Sequence, residues 1–280
     1  MKRIYAFTLS FLVSVAAFAQ LKMPQPSQLS TVTQAVGLAE ITVKYSRPNM
    51  KGRKIYGDLV PFDKVWRTGA NRPTKIKFDD DIMFEGTKVV AGEYTLVTIP
   101  AASEWTIILN KDSKGNGASS YLESDDVLRF KVKPTTTKNN VESFTINFTD
   151  IANTTAMIEL LWENTAVRFK IENEITSKIE KQITTQLNPS RDATMYGQIA
   201  GYYLDTNQKL PEALDLITKS TDLAPRYWTL HTKAKIQAKL GKTKDAIATC
   251  EKSIELAKKD EDDAYVKMNQ KLIEEVKKMK

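Results

Sequence analysis

The sequence predicts a two-domain β + α protein: an antiparallel β-sandwich over residues 29–172, then an α-helical repeat domain over residues 173–280. Three observations carry this. Apolar and polar residues alternate in short runs as far as Ile171, the period of half-buried strands. After Ile171 the apolar spacing lengthens to four, which marks one face of a helix. From about residue 192 a set of small and apolar residues recurs thirty-three positions later.

Taken in order, residues 1–19 read as a secretory signal peptide. Lys2 and Arg3 form a basic start, residues 4–18 are an apolar run too short to span a bilayer, and Ala17-Phe18-Ala19 is a small-x-small cleavage site. No later run is long enough for a membrane anchor. The protein is therefore expected to be exported, periplasmic or secreted, with cleavage after Ala19. Residues 20–28, with Pro24 and Pro26, read as an extended leader.

The strand runs follow. Ile41, Val43 and Tyr45 form one, Tyr94, Leu96 and Thr98 another, then Trp105, Ile107 and Leu109, and Leu128, Phe130 and Val132. Phe144, Ile146 and Phe148 lead to Ile158, Leu160 and Trp162, and a last run holds Val167, Phe169 and Ile171. Asn71-Arg72-Pro73, Ala91-Gly92, Lys114-Gly115-Asn116-Gly117 and Glu163-Asn164 are the turn signals between them. Roughly nine strands without a helix between them suit a sandwich, with a barrel as the alternative. Asp79-Asp80-Asp81 reads as a solvated hairpin turn rather than a metal site, because neighbouring strand side chains point to opposite faces.

In the second half, Ile175, Ile179, Ile183 and Leu187 continue the stripe from Ile171, Asn188-Pro189 stops it, and Ser190 can cap the next helix. Ala213, Ile217, Ser220 and Ala224 recur as Ala246, Cys250, Ser253 and Ala257, and Gly201 maps to Ala234. Small residues let paired helices approach closely. The spacing of Gly201, Ala213, Ser220 and Pro225 resembles that of tetratricopeptide repeats, which implies helical hairpins and a surface for a protein partner. Residues 262–280 would cap the array.

Composition narrows the chemistry. The single cysteine, Cys250, excludes an internal disulfide and a thiolate cluster, and the single histidine, His231, removes most zinc, copper and Ser-His-Asp readings. His231 reads as a packing or surface histidine and Cys250 as an inert buried thiol, and no cofactor is expected. The net charge is +7, or +5 once Lys2 and Arg3 are removed. Between Arg47 and Arg72 seven basic residues face two acidic ones, so this segment alone carries +5 and the rest of the mature chain sums to zero.

That segment, RPNMKGRKIYGDLVPFDKVWRTGANR, holds the candidate site: Arg47, Lys51, Arg53, Tyr56, Trp66, Arg67 and Asn71. Guanidinium forks match carboxylate, phosphate or sulfate, and Tyr56 and Trp66 offer flat faces of the kind sugar sites use. The partner this suggests is an anionic small molecule or an acidic glycan, and export argues against nucleic acid. The same residues also read as core plus arginines paired with Asp58, Asp63 and Glu40 to pin a long crossover.

The run SRPNMKGRKIYGDLVPFDKVWRTGAN, with AGEYTLVTIP and EWTIILNKD after it, closely resembles a family of exported bacterial proteins known as domain of unknown function 2911. The resemblance covers about residues 27–172. Members typically carry a Trp-Gly pair after the Asn-Lys-Asp turn, where this chain has Asn116-Gly117-Ala118. The resemblance implies the β fold and export and carries no activity.

The function expected is that of a binding or interaction module, with a basic, aromatic surface for a ligand and helical repeats for a protein. Two alternatives remain. One is a glycan-directed hydrolase working through Asp125 and Asp126 or Glu93 and Glu104, which requires two carboxyls facing each other across a cleft. The other is a structural scaffold of the cell envelope. The export reading has a direct check: N-terminal mass spectrometry of the native protein should find a chain beginning at Gln20, and a membrane-bound product with an intact Met1 refutes it.

Overall fold

The computed structural model describes residues 23–111, 118, 120–186 and 192–279. The signal peptide and its cleavage site, the Lys114–Gly117 turn, Leu187, the Asn188-Pro189 stop and the Ser190 cap lie outside the described residues. Ten strands come first: β1 (Gln28–Val36), β2 (Ala39–Arg47), β3 (Thr74–Phe78), β4 (Ile82–Phe84), β5 (Thr87–Val89), β6 (Gly92–Ile99), β7 (Trp105–Asn110), β8 (Asp126–Val132), β9 (Thr135–Thr149) and β10 (Thr155–Glu172). Six α-helices follow among the described residues: α1 (Thr176–Gln186), α2 (Ala193–Asp205), α3 (Leu210–Leu223), α4 (Tyr227–Lys239), α5 (Thr243–Lys259) and α6 (Asp263–Lys278). The chain divides into two compact units between Ile175 and Thr176.

The first unit is two antiparallel sheets, in the orders β1-β2-β3-β6-β7-β8 and β5-β4-β10-β9. One core lies between them, drawing Ile41, Val43 and Ile76 from the larger sheet and Phe84, Ile158 and Phe169 from the smaller. This is the sandwich that the alternating runs predict. The runs miss β1 and β3, and also β4 and β5, which are three residues each and too short to show a period. The expected leader also ends early: Gln28 already pairs with Arg47 as the first rung of β1.

Glu163-Asn164 is not a turn. β10 runs through it as one strand, and the register against β9 slips between Leu161 and Glu163 and again between Glu163 and Thr165. Glu163 takes φ +54°. Ala156, Ile158, Leu160 and Trp162 point inward before the bulge, and Val167, Phe169 and Ile171 after it. The inward parity changes from even to odd across this irregularity, where five steps along β10, from Leu161 to Ala166, face ten along β9, from Thr145 to Thr135.

Asp79-Asp80-Asp81 is not a hairpin either. It carries the chain from β3 in one sheet to β4 in the other. Its carboxylates tie down backbone: Asp79 accepts from the Glu40 N–H at 2.8 Å, and Asp81 accepts from Ala91 N–H at 3.0 Å while pairing with Lys88 at 2.8 Å. The Lys88 ammonium and that N–H hold the Asp81 carboxyl below its usual range.

Asn173 fastens this corner. Its Oδ1 accepts from Leu38 N–H at 2.8 Å, and its Nδ2 donates to Asp81 O at 3.0 Å and to Asp80 Oδ2 at 3.2 Å. The β1–β2 turn, the sheet crossing and the end of β10 thus share one buried amide. Gly37 makes the approach possible: it sits at φ +62°, and a Cβ there would lie 2.6 Å from Asn173 Oδ1.

In the second unit, α2 and α3 form one helical hairpin and α4 and α5 the next, with α6 after them, in keeping with the tetratricopeptide-like spacing. The repeat has a repeated bond. Ser220 Oγ donates to Ala193 O at 2.6 Å, and Ser253 Oγ donates to Tyr227 O at 2.7 Å, so each serine ties the second helix of a hairpin to the start of the first. Ala213, Ile217, Ala246 and Cys250 are fully buried at the equivalent positions. Gly201 has open space where a Cβ would go, so it is not the close-approach residue; Gly197 is, with Ser220 Oγ 3.1 Å from that point. Asp192 caps α2, accepting from Thr194 and Met195 N–H.

His231 belongs to a buried polar chain. Asn269 Nδ2 donates to Ser253 Oγ at 2.9 Å and to Tyr265 O at 2.8 Å, so its Oδ1 is the acceptor for His231 Nδ1–H at 2.9 Å. Burial, aided by the charge of Lys235 and opposed by the Asn269 bond, lowers the imidazole pKa from its ordinary 6.5. Cys250 is an inert thiol pushed up to about 11 by burial.

Two outcomes follow for stability. Gly37→Ala should cost about 2 kcal/mol or more in chemical denaturation, combining left-handed backbone with the Asn173 clash, whereas Gly52→Ala, at φ +72° with open space around it, should cost about 1 kcal/mol. The unfolded His231 binds its proton more readily than the folded one, so helical stability should fall as pH drops below 6.5. Melting of the full chain at 222 nm between pH 7.5 and 5.5 reads this, and His231→Gln, which keeps a donor but does not titrate, should flatten the slope.

Candidate ligand-binding cleft

Between β2 and β3 the chain runs from Pro48 to Pro73 without a regular element. Segments of that length inside a compact domain are uncommon and usually carry function. Pro48 O accepts from Phe144 N–H at 2.9 Å and Met50 N–H donates to Glu142 O at 2.8 Å, so the segment starts as a short extension along β9. It turns at Lys51 and Gly52, both at positive φ, with Lys51 N–H on Glu142 Oε1 at 2.9 Å. A tight loop then buries Ile55, Tyr56 and Val60.

The return is pinned at Trp66, which exchanges two backbone hydrogen bonds with Thr98 of β6, at 2.7 and 2.9 Å. Its indole N–H donates to Gly69 O at 3.2 Å. Thr68 and Asn71 sit at φ +55° and +58°, and Asp63 at +59°. A β-branched residue in that region is held there by its surroundings: Thr68 Oγ1 donates to Thr98 Oγ1 at 3.1 Å, and Thr68 O accepts from the Thr74 hydroxyl. Strained backbone of this kind concentrates at functional sites.

Under the segment lies an aromatic cluster. Trp66 stacks on Trp162 at 6.0 Å and 16° and meets Phe144 edge-on at 5.1 Å. Tyr56 lies 4.9 Å from Trp105 and 6.3 Å from Trp162. The partners come from both sheets, so Trp66 and Tyr56 are wedged into the mouth of the sandwich. Burial, and then the charge of Glu163, push the Tyr56 phenol far above its ordinary value.

Above this cluster is a cleft of about 410 Å³. Trp66, Trp162, Leu59 and Val60 make its apolar side, and Lys51, Arg53, Arg67, Asn49 and Asn71 its polar side. Pro26 and Ser27, the end of the expected leader, form part of the wall. Its fourteen lining residues include three cations and no carboxylate, histidine or cysteine.

The seven candidate residues divide. Lys51, Arg53, Trp66, Arg67 and Asn71 line the cleft. Tyr56 is beneath it, in the core. Arg47 leaves the group: its Nε donates to Phe144 O at 3.0 Å and its Nη2 to Thr145 Oγ1 at 2.7 Å, which seals β2 against β9. The three arginines therefore do not converge, and two do.

Neither Arg53 nor Arg67 pairs with Asp58, Asp63 or Glu40. Arg53 donates to Met50 O at 2.9 Å and Asn49 O at 2.7 Å, and Arg67 Nη1 to Asn71 O at 2.9 Å. These carbonyls fix the guanidinium positions and leave their charge unneutralised. The remaining N–H donors of both groups, and the Lys51 ammonium, have no partner among the described residues. Asn71 Nδ2 is already spent on Ser27 O and Ser46 Oγ.

The carboxylates weighed for hydrolysis lie elsewhere. Asp125 pairs with Lys111, Asp126 with Arg129, and Glu104 with Lys131. Glu93 stands across from Lys77 on β3. Sequence reasoning missed Leu59, Trp162 and the Pro26-Ser27 wall. Trp162 is distant in sequence and Ser27 is unremarkable, and only the loop's return path brings them together.

No curated protein and no solved structure matches the chain. Residues 27–171 match the family described as Protein of unknown function (DUF2911), a stretch that covers the ten strands except Glu172, the last residue of β10, and more than half of the sequence. The chain therefore belongs to that family.

Proposed function

We propose that the protein is an exported binding module whose cleft takes a small anionic ligand, with the helical unit contacting a protein partner. One observation carries the reading: three cations and no carboxylate line a cleft with an indole on its apolar side. Bringing cations together without counter-charge is unfavourable unless something negative arrives. Arg53 and Arg67 would hold the anion, Lys51 would add a mobile charge, and Trp66 would cover an apolar or ring face. The lining supplies cationic donors beside an apolar face, which suits binding of an anion.

A charge-assisted hydrogen bond in a partly dry site contributes roughly 1.5–3 kcal/mol. Thermal-shift screening against inorganic phosphate, citrate and a monomeric uronic acid should find at least one stabilising ligand. By titration calorimetry, Arg67→Ala should then weaken that ligand by about tenfold or more with little change in melting temperature. Arg47→Ala should do the reverse, lowering the melting temperature and leaving affinity alone. No shift with any probe, or full affinity in Arg67→Ala, defeats the proposal.

A further inference from the structure

A second concavity, about 500 Å³, lies on the outer face of the six-stranded sheet and holds Lys44, Arg72, Lys75 and Lys77 with a single carboxylate, Glu93. The register makes this arrangement costly on its own. Lys44 of β2 stands directly opposite Lys75 of β3, and Lys77 is the next residue along on the same face, opposite Thr42 and Glu93. Like charges in directly opposed cross-strand positions destabilise a sheet. Lys75 is steadied by Thr95 Oγ1 at 2.6 Å, while Lys44, Lys77 and Arg72 make no ion pair among the described residues. Lys44 and Lys77 are exposed.

The two concavities adjoin. Asn71 lines the cleft and Arg72 the sheet groove, and Asn71 Nδ2 donates at 3.3 Å to Ser46 Oγ, which belongs to the groove wall. Together they present seven cations and one carboxylate.

We infer that these form one track for an acidic glycan, with one sugar unit in the cleft and the following units laid over Arg72, Lys44, Lys75 and Lys77. The inference rests on the cleft being an anion site and names the kind of anion. A chain, rather than a single small molecule, is what two linked basic concavities fit. The Trp66 face in the cleft suits a sugar ring, and the spaced cations of the groove suit the charges of the units that follow. Single-stranded nucleic acid binds by stacking successive bases on exposed aromatic faces. The groove has one aromatic residue, Tyr45, and it is 2% exposed.

The test is titration of the full chain with galacturonate and its oligomers of two, four and six units at fixed ionic strength. Linked contacts raise affinity through effective concentration, so the tetramer should bind at least about tenfold tighter than the monomer. The Lys44→Glu, Lys77→Glu double variant should erase that gain and leave the monomer unchanged. Arg67→Ala should weaken both. Monomer binding with no gain in length, or a gain that survives the double variant, overturns the track while the cleft reading stands. A tetramer affinity that needs the lysines but ignores Arg67 also overturns it, because the grooves are then separate. Binding of phosphate or citrate with no uronate binding rejects the glycan alone. A thymidine oligonucleotide of equal charge binding tighter than the tetramer assigns the groove to nucleic acid and refutes the inference.

Discussion

The pair of backbone hydrogen bonds between Trp66 and Thr98 is what the site depends on. It returns a long irregular segment to the edge of β6 and sets the Trp66 indole over Trp162 and Phe144. Of the charged groups, Arg67 is placed by that anchor, whereas Lys51 and Arg53 are set at the turn that leaves β9. Arg67 follows it directly, and the strained Thr68–Asn71 stretch is fixed by Thr98 and Ser46 on neighbouring strands. The energetic logic is a trade: the aromatic wedge buries enough apolar surface to tolerate several left-handed residues and an uncompensated cluster of positive charge.

The two units draw their order from different sources. In the sandwich, single polar side chains act over long sequence separations, as Asn173 does between the first hairpin and the sheet crossing. In the helical unit the same device is local and repeated, a serine returning to the first turn of its own hairpin. The sandwich therefore relies on closure of distant segments, and the helical unit on short-range pairing.

What could be read from the sequence follows the same divide. The strands with a clear period, such as Ile41 to Tyr45 and Trp105 to Leu109, were legible because their inward faces meet one core. The serine and alanine repeat was legible because it recurs at fixed spacing. The cleft was legible in part: its cations and Trp66 announce themselves by local density. Arg47 misled because its guanidinium is claimed by carbonyl and hydroxyl oxygens of β9, about a hundred residues later, which no local pattern encodes. Glu163-Asn164 misled for a related reason, since the residues that favour a turn also suit the positive φ of a bulge.

That bulge fixes chain length more firmly than chain identity. On either side of it β10 serves different parts of the core, with Trp162 under the cleft and Phe169 toward Phe84 and Phe130. Position 164 is exposed and can take many side chains, while position 163, at φ +54°, takes those that accept a left-handed backbone. Adding or removing one residue there would turn every inward group on one side outward at once. Drift within this strand is thus open to substitution and closed to insertion and deletion, and the spacing from Trp162 to Val167 is the quantity that descent must preserve.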